Sequence, residues 1–196
     1  IIPGPEPPVG RVKYVVDNVE VMVLRERVQY FDKDGKPITE SLKDYTRKAI
    51  LKNFASLDDF LDRWGGAEQK RVLVEELAGH GIFLEALGEE VGKDFDPFDL
   101  VCHVAYDQPP LTRKERAANV RKRNYFAKYG EQARAVLDAL LDKYADEGLE
   151  PVESVDVLRV QPFNRLGTPV ELVRVFGGRE KYLQAVRELE NQLYAT

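Results

Sequence analysis

Cysteine, methionine, tryptophan and histidine are scarce in this chain of 196 residues, with one, one, one and two copies. The single cysteine, Cys102, excludes an intramolecular disulfide and suits a reducing, cytoplasmic compartment. A zinc site needs about four N, S or O ligands. The two histidines, His80 and His103, do not assemble one, because adjacent Cys102 and His103 would point roughly 100° apart on a helix. No apolar run approaches the roughly 20 residues a membrane helix requires, so no membrane partner is expected. Glycine-rich phosphate loops are also missing: neither a Gly-x-x-x-x-Gly-Lys-Ser/Thr run nor a Gly-x-Gly-x-x-Gly run after a strand occurs. No repeat of fixed period is found. Initiator methionine is absent, and proline takes four of the first eight positions. Residues 1–11 therefore read as a Pro-rich linker, not as a signal or transit segment.

What is present describes an ordinary, charge-rich globular chain: 43% hydrophobic, 32% charged, net charge −5. At this length roughly 70% of the unfolded surface can be buried, so no staple is needed. Residues 12–38 read as a small antiparallel sheet of three or four strands. Val12, Tyr14 and Val16 alternate with other residues, Asp17-Asn18 suits a tight turn, and Asp32-Lys-Asp-Gly35 is a second turn signal. Residues 39–196 read as a helical C-terminal domain, so the fold class is mainly α, with about eight to nine helices after the sheet. Ser56-Leu-Asp-Asp59, Thr112-Arg-Lys-Glu115 and Thr168-Pro-Val-Glu171 are capping boxes, the first in an acidic variant. Ala133, Val136, Leu137, Leu140, Leu141 and Tyr144 form a helical core stripe that Gly148 closes.

Candidate chemistry is thin. Glu68-Gln-Lys70 matches half of a restriction-type nuclease site, but such a site wants a strand and a further acid to hold a divalent metal. Here the tripeptide opens a helix and reads as a solvated face. Asp94, Asp96 and Asp99 read as helix-capping acids, since the twelve-residue calcium pattern is missing. Gly177-Gly178 reads as a helix stop and restart. Cys102 reads as a small buried apolar residue. No residues are assigned as catalytic, cofactor-binding or metal-binding.

One segment is unusual. Between Leu111 and Lys128 lie seven bases and one acid, a net of +6 in a chain of net −5. Read as one helix from Thr112 to Gly130, it gathers Leu111, Ala118, Tyr125 and Tyr129 on one side, with Phe126 nearby. Arg113, Lys114, Arg116, Arg121, Arg123 and Lys128 fall opposite, and Lys122 lies near the aromatic side. These seven bases and Tyr125 are the candidate contacts for a partner or DNA. Three readings stay open: a face solvated or neutralised by the chain's own carboxylates, a surface for an acidic protein, or a track for phosphates.

The same segment and several others carry a resemblance. Val28-Gln-Tyr-Phe-Asp32, the run from Ile38 to Lys48, Phe54-Ala-Ser-Leu-Asp-Asp-Phe60, Val91-Gly-Lys-Asp94, Asp96-Pro-Phe-Asp-Leu100, Phe176-Gly-Gly-Arg-Glu180 and the final helix resemble the C-terminal region of R subunits of type I restriction–modification enzymes. In that family a nuclease and two ATP-driven motor lobes precede a helical region thought to dock on the methyltransferase and specificity subunits. The resemblance thus implies that the Pro-rich start follows a motor domain and that ATP and Mg serve the full-length protein. It implies no cofactor for this segment, and no nuclease or motor residue is matched. The methyltransferase and specificity subunits are the expected partners, DNA a possible one. The alternatives are a DNA-contact surface along the translocation path and a structural brace of the motor. On this reading, replacing Arg121, Lys122 and Arg123 together by Glu weakens assembly and leaves helical content intact, as a pull-down and circular dichroism would show.

Overall fold

The structure is a computed structural model that describes residues 11–195. The Pro-rich start, residues 1–10, lies outside them. Among the described residues, four strands and eleven α-helices fall into two compact units. One holds the residues up to Gly66 together with Val72–Pro110, the other Ala67–Arg71 together with Leu111 onward.

In the first unit the strands β1 (Arg11–Val16), β2 (Val19–Leu24), β3 (Arg27–Phe31) and β4 (Pro37–Ser41) form an antiparallel meander in the order β1-β2-β3-β4. The β1–β2 turn is a two-residue hairpin with Asp17 at φ 48° and Asn18 at φ 65°. Two successive positive φ values match the twist of the flanking strands, and Asp and Asn tolerate them best after Gly. At the β3–β4 turn, Asp32 Oδ1 accepts from the backbone N–H groups of Asp34 and Lys36, each at 2.9 Å. Val12 pairs with Val23, Tyr14 with Val21 and Val23 with Val28. The period of two therefore places Val16, Val21, Val23 and Val28 on one buried face.

The same unit holds helices α1 (Leu42–Asn53), α2 (Leu57–Gly66), α3 (Lys70–Ala78, from Val72 on), α4 (Leu84–Val91) and α5 (Pro97–Tyr106), of which α1 packs on β3 and β4 and α5 packs on α1, α2 and α4. Leu42 and Ile50 of α1 are fully buried. Phe83 stacks on Tyr14 at 4.4 Å and on Tyr45 at 5.6 Å between ring centroids. Phe60, Trp64 and Phe98 form a second aromatic knot, with centroids 5.6–5.9 Å apart. The expected caps are in place. Ser56 and Asp59 exchange bonds at 3.2 Å, and Asp96 accepts from the Phe98 N–H at 2.8 Å with Pro97 at the first helical position. Cys102 is buried and in no disulfide.

In the second unit, α6 (Arg113–Lys122), a 3-10 turn (Tyr125–Lys128), α7 (Glu131–Glu147), α8 (Glu150–Glu153), a further 3-10 turn (Val155–Arg159), α9 (Phe163–Leu166), α10 (Pro169–Val175) and α11 (Arg179–Leu193) follow one another. The core is built on the α7 stripe: Val136, Leu137, Leu140, Leu141 and Tyr144 are fully buried. They pack in one cluster with Val120, Val152, Leu158, Phe163, Leu172, Tyr182, Leu189 and Leu193. Thr112 with Glu115 and Thr168 with Glu171 form complete capping boxes. Gly177 and Gly178, at φ 99° and 120°, stop α10 and restart the chain as α11. One expectation needs adjustment. The basic segment is not one helix to Gly130: α6 ends at Lys122, Asn124 adopts a left-handed conformation at φ 53°, and the aromatic residues sit in the 3-10 turn. The short α8 and α9 lie in a stretch whose Pro and Gly content hides any apolar period. Leu140→Ala is expected to destabilise the protein by about 2–5 kcal/mol and Thr112→Ala by about 1 kcal/mol, read from urea denaturation midpoints.

Candidate docking surface

The basic segment contains donors that need acceptors, and α6 finds most of them inside the second unit. Helix carbonyl ends carry partial negative charge and up to four orphan acceptors. Arg116 is buried, its Nη1 donating to the Leu193 carbonyl at 2.8 Å while its guanidinium lies 5.6 Å from the Tyr194 ring. Arg123 donates to the carbonyls of Gln192 and, at 3.2 Å, Ala195. Both arginines therefore close the carbonyl end of α11. Arg113 does the same for α7, donating to the Ala145 carbonyl at 3.4 Å. Arg121 bridges two acids one turn apart on α7, Asp138 at 2.8 Å and Asp142 at 2.7 Å.

The aromatic end of the segment is organised around one carboxylate. Glu188 of α11 accepts from the Tyr125 hydroxyl at 2.6 Å, Lys128 Nζ at 2.8 Å and the Tyr129 hydroxyl at 3.0 Å. The Lys128 bond first, then that of Tyr125, hold the Glu188 carboxyl below the usual carboxylate range, against an opposing push from burial. Burial, then the bond to Glu188, push the Tyr125 phenol up. Lys128 lies over both tyrosine rings, at 4.8 and 5.2 Å.

Of the eight candidate residues, six are thus committed within the unit. Lys114 and Lys122 remain exposed, without a hydrogen bond or ion pair among the described residues. A different surface of the same unit lies outside the basic segment. Along the 3-10 turn at Val155–Arg159, α9 and α10, Val160, Leu166 and Val170 are exposed, Val170 at 61%. Arg159, Arg165 and Arg174 stand among them, also exposed. Leu166, Leu172, Val175, Gln132, Glu171 and Arg174 line a groove of about 380 Å³ there. A hint lay in the sequence: Arg159, Arg165 and Arg174 are interspersed among the valines and leucines from 157 to 175.

Residues 40–194 match the family described as EcoEI R protein C-terminal. The type I restriction enzyme EcoAI endonuclease subunit of Escherichia coli is 58% identical to the chain over 183 residues. The chain belongs to the family of C-terminal regions of type I restriction R proteins. The match covers 93% of this chain and 23% of that relative. No solved structure matches.

Nothing in the fold of this R-protein region gathers three or more metal-ligating side chains among the described residues. No helix among them is long and apolar enough to cross a membrane. The Glu68-Gln-Lys70 tripeptide divides. Glu68 is exposed and pairs with Arg187 at 3.0 Å, as a solvated face would. Lys70 is 5% exposed, contrary to that reading, because it opens α3 where Glu153 of α8 accepts from its backbone N–H at 2.9 Å. Its Nζ donates to the Ala67 carbonyl at 2.7 Å and lies 3.7 Å from Glu190, itself 3% exposed. The ammonium favours an ionised Glu190, but burial first and the Glu153 carboxylate second prevail and push the Glu190 carboxyl up to about 9. Below the ordinary value near 4.5 the folded and unfolded forms both hold that proton, so the contribution of Glu190 to stability is fully present there. As pH rises towards 9 the unfolded form ionises while the folded form keeps its proton, and that contribution is lost. Glu190→Gln is therefore expected to gain stability over the parent chain as pH goes from 5 to 9. Denaturation midpoints taken across that range check it, and parallel curves for the two proteins would refute the protonated state.

Proposed function

We propose that this region is an assembly module of a type I restriction enzyme, docking the R protein on the methyltransferase–specificity core in a DNA-translocating and cleaving complex of the cytoplasm. The observation that carries the reading is the set of exposed side chains on the stretch from Val155 to Val175, whose 3-10 turn packs on both α9 and α10. There, exposed Val160, Leu166 and Val170 stand among Arg159, Arg165 and Arg174. Apolar anchors with arginines around them are what protein interfaces use, because burial supplies the affinity and charge supplies the orientation. The module's family supports the same reading, since its relative in Escherichia coli is named as an endonuclease subunit, one component of an enzyme.

The phosphate-track reading of the basic segment is weakened by the same geometry. Each neutralised phosphate adds about 0.9 to the salt slope of duplex binding, and only Lys114 and Lys122 of the segment are uncommitted enough to supply one. Those two lysines stay as candidate contacts on α6, apart from the α9–α10 stretch. Arg121 and Arg123 drop out as probes, because replacing them by Glu breaks bonds to Asp138, Asp142, Gln192 and Ala195. The expected loss of assembly would then be mixed with a loss of fold.

The test is sedimentation of the chain with a purified methyltransferase–specificity core, with a DNA duplex run in parallel at low and moderate salt. Co-migration with the core is expected. It should weaken at least tenfold in Val170→Glu/Arg174→Glu and more mildly in Lys114→Glu/Lys122→Glu. Binding to DNA alone, falling steeply with salt, would replace the assembly reading by the translocation-path one.

A further inference from the structure

The first unit carries a groove that the basic segment and the family resemblance do not account for. It measures about 650 Å³ and lies where the inner face of the sheet emerges beside α4. Its walls are Val12, Tyr14, Val23 and Ala86, and Glu26, Glu85, Glu89, Glu90 and Arg25 line the rest. Along β1 the inward row is Val12, Tyr14, Val16, and its cover fails progressively, from 8% exposure at Val16 to 50% at Val12. An apolar row that should be core at both ends is core at only one.

A second, independent feature borders the groove. β1 is an edge strand, with no further strand beside it among the described residues. Edge strands are ordinarily kept short or blunted by proline, bulges or inward charges, because their free N–H and C=O groups recruit other strands. β1 has six residues and no proline, its ladder to β2 runs without a bulge from Arg11 to Val16, and Val12 and Val15 are exposed at 50% and 62%. The groove is large enough for side chains of an added strand, within the range of about 300–1,000 Å³ that binding clefts occupy.

The chemistry of the occupant follows from the charges. Glu89 pairs with Lys93 at 3.1 Å and Glu90 sits 3.9 Å from Lys43, but Glu26 and Glu85 have no ion pair among the described residues. Burial first raises the Glu90 carboxyl, Lys43 opposes, and Glu26 adds to the rise; burial and Glu85 raise the Tyr14 phenol. The groove thus holds more negative charge than its own cations offset, beside an apolar floor and an open strand edge.

We propose that β1 and this groove form a strand-addition site for an extended partner segment whose groove-facing positions, every second residue, are taken in turn by β-branched apolar residues and by lysine or arginine. Its backbone pairs with β1, its apolar side chains cover Val12 and Tyr14, and its cations reach Glu26, Glu85 and Glu89. This is peptide recognition by sheet augmentation, with main-chain bonds for affinity and pocket side chains for selection. The site is separate from the α9–α10 face and does not depend on the assembly reading.

The probe is a blocked decapeptide with threonine at every second position and valine and lysine taking the intervening positions in turn, with the same peptide carrying glutamate in place of lysine as control, titrated into the chain at 150 mM salt, roughly where surface charges are screened beyond about 8 Å. The lysine peptide is expected to bind and to slow amide hydrogen exchange in β1. Ala86→Trp, which fills the groove without changing charge, and Glu85→Lys/Glu89→Lys should each weaken it at least tenfold. Asp34→Lys/Asp62→Lys, a matched charge change at exposed sites elsewhere, should leave binding intact. Circular dichroism confirms that each variant is folded, and the two groove variants fail independently of one another. Three results would overturn the proposal. One is equal weakening by both charge-reversed pairs, which means general attraction to an acidic chain. Another is equal binding of the control peptide. The third is a dimer of the free chain, by sedimentation, that protects β1 without peptide, which assigns the edge to a second copy.

Discussion

The second unit depends on arginines of the α6 segment closing the carbonyl ends of other helices. Arg116 and Arg123 reach the last carbonyls of α11, Arg113 reaches the end of α7, and Arg121 spans two acids on α7. A buried guanidinium without acceptors would be strongly destabilising, and so would buried carbonyls without donors. Here each requirement answers the other. The arrangement also resolves how a net of +6 can be packed into one short segment: much of the charge is turned inward to helix ends and to carboxylates of α7 and α11. Glu188, held by Lys128 and two tyrosine hydroxyls, extends the same principle to the aromatic end.

This economy changes what the segment can do for a partner. A binding surface needs groups that are exposed and uncommitted, and most of the basic side chains are neither. What α6 contributes is rigidity. By fixing α7 and α11 against itself it supports the core on which α9 and α10 rest. The exposed valines, leucine and arginines of that later stretch have weaker sequence signals but greater freedom to engage another molecule.

Local chemistry was readable wherever the determinant lay within one turn or one hairpin. Thr112 with Glu115, Ser56 with Asp59, Asp96 before Pro97, and Asp17-Asn18 all act over a few residues, and each does what its spacing implies. The α7 stripe was readable for the same reason, since a helical period needs only the helix itself. The helix break after Lys122 was harder to see, because its marker is one asparagine in a left-handed conformation and no glycine or proline stands there. Lys70 was misread because its burial depends on Glu153 and Glu190, far along the chain.

The sequence by itself determined the sheet and the longer helices, their caps, the inward rows of sheet and helices, and the kinship with the C-terminal regions of type I restriction R proteins. Each rests on short-range periodicity or on extended similarity. Tertiary structure alone decided the fate of the charges. Arg121 meets Asp138 17 residues away, Arg116 meets the Leu193 carbonyl 77 away, and the Lys70 N–H meets Glu153 83 away. Electrostatic partnership acts through space at a few ångströms, so whether a base is a free contact or a structural clasp depends on which distant carbonyl or carboxylate the fold places opposite it.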